Sequence, residues 1–146
     1  MNNLLRNVKL TRISADGAGT ASATPNKMTI IDMLGYESVL FFVAMGNVLT
    51  TSVVSLKVAG ATTNSSGAMT VLTGSAGGTA DATSYDDKIV ALDVVKPTYR
   101  YLECQLTCAT ADGPYDGVFA IQYNGHDLPV TQGSTVVASN TLYSPV

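Results

Sequence analysis

His126 is the single imidazole in a chain of 146 residues, and it adjoins Asp127. In an extended chain neighbouring side chains point to opposite faces, so the two cannot share a proton. No Gly-x-Ser-x-Gly elbow occurs, and neither cysteine is expected beside His126, which leaves nucleophilic catalysis without a base. Cys104 and Cys108 fall on one predicted strand. Four residues of strand span ~13 Å, beyond the ~7 Å limit for a disulfide between Cα atoms. They are expected to be reduced, buried small hydrophobes. Two such cysteines and one histidine do not make a metal site. Asp112 and Asp116 are spaced as in a calcium loop, but Pro114 stands third and Tyr123 twelfth, where ligands are required. They read instead as turn residues bonding backbone amides. Asp86 and Asp87 have no partner acid at glycosidase spacing. Gly17-Ala18-Gly19 is followed by Ser22 where a dinucleotide fingerprint needs glycine, and Gly74 to Gly78 precede no Gly-Lys-Ser/Thr. Tyr99, Tyr101, Tyr115 and Tyr123 could stack on sugars or bases, yet only Arg100 lies near them, so cross-strand packing is the expected role. The residues therefore predict no catalytic site, no metal and no cofactor.

The elements that would position these residues are strands. Tyr99 to Cys108 alternates, with Leu102, Cys104, Leu106 and Cys108 on one side and Glu103, Gln105 and Thr107 on the other. Gly117 to Tyr123 places Phe119, Ile121 and Tyr123 together, and Asp112-Gly113-Pro114 between the two runs predicts a long antiparallel hairpin from Tyr99 to Tyr123. Ser38 to Met45 is continuously apolar, which predicts a central strand covered on both faces, with Leu40 and Phe42 fully buried. Further strands are expected over Val8 to Ile13, Thr29 to Met33, Ser52 to Ala59, Met69 to Leu72 and Lys88 to Val95. No window carries a sustained 3.6-residue apolar period, so almost no helix is predicted. The expected fold is all-β: an antiparallel sandwich or jelly-roll-like barrel of about seven or eight strands. Residues 1–27 read as an N-terminal arm, 28–125 as the core and 126–146 as an extended C-terminal arm.

Charged residues make up 13% of the chain, and the formal net charge is −3. That is roughly half the usual ~25% for soluble domains, and it suits a surface that packs against neighbours. The eight Lys and Arg form no patch, which argues against nucleic acid. No signal peptide is expected at Met1 to Arg6, and the run from Val39 to Met45 falls short of the ~20 residues that span a bilayer. After Asp127 the chain is uncharged but keeps Leu128, Pro129, Val130, Val136, Val137, Leu142 and Tyr143. A disordered tail is usually charged and poor in such residues, so these seven are the candidate contacts to a subunit or a partner.

Ile31 to Val43, Ala91 to Tyr101 and above all Ala109 to Tyr123, followed by Pro129-Val130-Thr131 and Thr135 to Ser139, resemble stretches of small virion proteins of tailed bacteriophages. The resemblance is firmer from Ala91 onward and weak between Gly46 and Asp87. It implies a capsid decoration (cement) protein on the outer head shell, assembled in the bacterial cytoplasm. The major capsid protein would be its partner, and it would form a symmetric homo-oligomer, a trimer being favoured. A head–tail connector or tail component, and a carbohydrate-binding sandwich, are the competing expectations.

Overall fold

The computed structural model describes residues 3–80 and 84–141. The chain runs through α1 (Leu4–Asn7), β1 (Lys9–Ser14), β2 (Ser22–Lys27), β3 (Ile31–Asp32), β4 (Tyr36–Met45), β5 (Val53–Ala61), β6 (Thr70–Val71), β7 (Ala76–Thr79), β8 (Ile89–Val95), β9 (Tyr101–Ala109) and β10 (Tyr115–Gly125). One sheet has the order β1-β10-β4-β8, and the other has β2-β9-β5-β6, with β3 added to β9 and β7 to β5. All named pairings are antiparallel. The fold is the expected all-β sandwich, with ten strands rather than seven or eight because β2 and β7 form where the sequence predicts no strand, one in the N-terminal arm and one in the glycine-rich stretch before Asp86.

The core lies between the sheets. Val39, Phe41, Val43 and Met45 of β4 form one buried cluster with Val54, Leu56 and Val58 of β5 and Leu102, Cys104, Leu106 and Cys108 of β9. The alternation in β5 and β9 puts these residues on one side of each strand, as period-2 patterning requires. Side chains of this size each stabilise the fold by roughly 1.5–3 kcal/mol when withdrawn from water. Gln122 is the polar intruder. Its amide donates to the Asp32 carbonyl at 2.8 Å and to Met33 Sδ at 3.7 Å, tying β10 to the turn before β4.

The Tyr99–Tyr123 hairpin does not form. β9 is central to one sheet, between β2 and β5, while β10 is central to the other, between β1 and β4. The turn residues instead build a corner that carries the chain from sheet to sheet. Gly113 donates to Gly19 O, Leu49 to Asp112 O and Gly46 to Pro114 O, all within 3.0 Å, and Asp112 accepts the Ala21 amide at 2.6 Å. Asp112 thus does bond a backbone amide, but one contributed from far away in sequence.

β4 is the central strand expected, flanked by β10 and β8. Its buried face carries Phe41, while Leu40 and Phe42, expected to be fully buried, are half-buried on the outer face. β10 matches it. Val118, Ala120 and Gln122 point inward, and Phe119, Ile121 and Tyr123 point out. The register pairs Phe119 with Phe42, whose rings stack 5.2 Å apart. Two strands of the expected N-terminal arm belong to the sheets: β1 joins β10, β2 joins β9, and Ile13 is buried in the core.

Candidate interaction surface

The sequence-level chemistry candidates are scattered. Cys104 and Cys108 are both free and buried on the core side of β9. Burial pushes the Cys104 thiol up to about 12 and raises Cys108 as well. His126 lies 3.9 Å from Glu37 Oε1 on an exposed loop. Among the described residues, no three His, Cys, Asp or Glu side chains gather where they could hold a metal ion. The tyrosines form no platform: Tyr115 is buried against Gly17, Tyr99 covers Gly60, Arg100 sits 5.0 Å over the Tyr101 ring, and the Tyr123 hydroxyl donates to Asp93 at 2.9 Å. Asp32 and Arg100 make a two-point ion pair at 2.8–2.9 Å, and the guanidinium holds the Asp32 carboxyl below its usual range.

What the fold does assemble is apolar surface, in two places. The first is one end of the sandwich. Leu4 of α1, Leu34 in the turn before β4 and Leu128 in the loop after β10 are each more than half exposed. The segment after β10 is bonded to each of the other two. His126 donates its amide to Gly35 O at 2.9 Å, and Val130 donates to Arg6 O at 2.8 Å. Pro129 is exposed beside Leu128, and the Leu128–Pro129 peptide is cis.

The second place is the outer face of the β1-β10-β4-β8 sheet and the arm beside it. From Val130 the arm runs along the free edge of β1 without becoming a strand. Gln132 takes the place of a partner strand, accepting from Leu10 N–H at 2.9 Å and donating to Leu5 O and Val8 O at 2.9 and 2.7 Å. The Thr135 hydroxyl accepts from Arg12 N–H at 3.3 Å. An unpaired strand edge is a template for stray pairing, and this contact covers it. Farther on, Val136 and Val137 wall a groove of about 430 Å³ whose floor includes Leu10, Phe42, Phe119 and Ile121. Val136 is half-buried, whereas Val137 is 99% exposed.

Of the seven contact residues expected from sequence, Leu128 and Pro129 therefore fall at the sandwich end, Val130 at the start of the arm, and Val136 and Val137 at the groove. Leu142 and Tyr143 lie outside the described residues. Leu4 and Leu34 were not singled out, since one leucine in a short helix or a turn carries no periodic signal. Gln132 was missed because its role depends on the edge of a strand more than a hundred residues away. No helix among the described residues is long and apolar enough to cross a membrane. Compared with known proteins, the chain matches no family model and no curated protein sequence.

Proposed function

We propose that this chain is a structural protein of a bacteriophage virion, a decoration protein that binds the outer head shell and braces adjacent capsid subunits. The observation that carries the reading is the leucine-bearing end of the sandwich. A short helix, a turn and a loop, the last bonded through its backbone to the other two, present Leu4, Leu34 and Leu128 to solvent. Apolar surface held on a rigid frame, rimmed by polar residues, is the form of a protein-binding site. The low charge of the chain and the resemblance from Ala91 onward support the same reading. Repetition over a lattice makes many modest contacts strong in aggregate. The functional residues are contact residues, and the mechanism is burial of apolar surface at a subunit boundary.

The test is cryo-electron microscopy of the particle that carries this chain. Hundreds of copies seated on the shell with the leucine end inward are expected. A single ring at the portal vertex would make it a connector, and density with the leucine end facing solvent would overturn the docking surface. The scattered tyrosines leave a glycan-binding reading without a stacking platform.

A further inference from the structure

We propose that the outer face of the β1-β10-β4-β8 sheet joins two copies of this chain about a twofold axis parallel to the strands. The inference does not depend on the virion reading, because it uses a different surface. The registers set side chains of this face in rows across the sheet. Arg12, Phe119, Phe42 and Ala91 form one row, and Leu10, Ile121, Leu40 and Asp93 form the next.

The face is stepped. On the β1 side the arm rises as a wall, topped by the 99% exposed Val137. On the β8 side it is an open shelf, where Ile89 and Val95 are 66% and 64% exposed and Ala91 and Asp93 are exposed between them. A twofold axis between two such faces, running along the strands, exchanges the β1 and β8 sides. The wall of each copy then settles on the shelf of the other, and the same contact is made twice, as an isologous interface requires. Phe119 of one copy comes to lie over Phe42 of the other, so the aromatic stack is buried at the centre.

Charge follows the same symmetry. Arg12, on the wall side, donates to the backbone carbonyls of Ser14 and Asp116, and Asp93, on the shelf side, accepts from Tyr123. Under the twofold axis Arg12 of one copy stands over Ala91 of the other. Asp93 lies two residues farther along the strand, ~7 Å away, within reach of a guanidinium. A third copy or an unrelated apolar segment would have no reason to match the wall, the shelf and both charges together. Four strands at ~4.8 Å and seven residues at ~3.3 Å make a face of roughly 19 by 23 Å. That is small beside the ~800 Å² per partner of a standard interface, and the arm wall adds to it. The pair is expected to form at micromolar rather than nanomolar concentration.

Sedimentation velocity of the full chain across the micromolar range tests this directly. A monomer–dimer equilibrium is expected. Ile89→Asp on the shelf and Val137→Asp on the wall should each weaken it by about tenfold or more, with unchanged circular dichroism and melting because both side chains are exposed. Arg12→Glu or Asp93→Arg should weaken pairing, and the two together in one chain should restore it. A chain that stays monomeric throughout, a trimer, a dimer indifferent to Ile89→Asp and Val137→Asp, or a charge swap that fails to restore pairing would each overturn the proposal.

Discussion

Glu103 is buried to 1% exposure on the outer side of β9, facing away from Leu102 and Cys104. Its carboxylate receives the Ser66 hydroxyl and the Gln105 amide, the latter at 2.8 Å, with Lys27 Nζ at 4.0 Å. Ser66 begins a short turn of 3-10 helix that folds back over the sheet, so the carboxylate fastens that loop down. Removing a buried acceptor leaves its donors stranded, and that is the costly event. Glu103→Ala should lower stability by about 2–4 kcal/mol, read from urea unfolding midpoints. Lys27→Ala, at an exposed and distant pair, should cost under ~1 kcal/mol. Equal losses for the two would show that the ion pair, not the hydrogen-bonded carboxylate, holds the loop. The buried cysteines give a second expectation. With the Cys104 thiol raised from 9.0 to about 12, the folded state holds its proton more tightly than the unfolded chain does. Its contribution is complete below pH 9 and is lost as pH climbs from 9.0 toward 12. Native protein at pH 8 should therefore resist alkylation until denaturant is added, whereas rapid labelling of both thiols in the native state would contradict their burial.

At the level of elements, the runs that alternate were readable and their pairing was not. Leu102, Cys104, Leu106 and Cys108 announced a strand face, and β5 and β8 also formed where apolar residues recur at every second position. The partner of each strand depends on where a turn sends the chain, and Asp112-Gly113-Pro114 reads equally well as a hairpin tip or a corner between sheets. The corner is chosen by distant residues, chiefly Gly19. It has φ +52, and a Cβ there would stand 1.9 Å from Gly113 O. Gly19→Ala should therefore destabilise by more than ~2 kcal/mol, with a fall in melting temperature that Gly35→Ala, also at positive φ but in open space, does not match. The arm is a second such case. An uncharged tail predicts a surface-hugging segment, but that Gln132 satisfies three backbone groups of residues 5–10 cannot be read from composition. Gln132→Ala should cost about 1–3 kcal/mol from hydrogen bonds worth ~0.5–1.5 kcal/mol each. Amide exchange at Leu10 should accelerate beyond that of Leu102 in the core, and uniform acceleration across the chain would place the effect elsewhere.

The whole molecule separates its two apolar surfaces by direction. The leucine end terminates the strands, and the stepped face lies along them, so a paired chain could still meet a third surface end-on. Sequence signalled Leu128 because it stood in an uncharged tail, but gave Leu4 and Leu34 no distinction until α1, the turn before β4 and the loop after β10 met in space. This separation makes the two roles independent in experiment. Leu34→Asp and Leu128→Asp replace exposed side chains, so melting temperature should stay within a degree or two of the parent, and surface changes of this kind usually lie within ~0.5 kcal/mol. Each should leave the sedimentation behaviour of the free chain unchanged. In a pull-down against purified phage heads, the double variant should lose most of its binding, since two of the three exposed leucines at this end are removed. Ile89→Asp should keep binding sites on the head but fill them with weaker avidity, as its coupling to a second copy is gone. Undiminished head binding by the leucine double variant would remove the sandwich end as the shell contact while leaving the pairing face untouched.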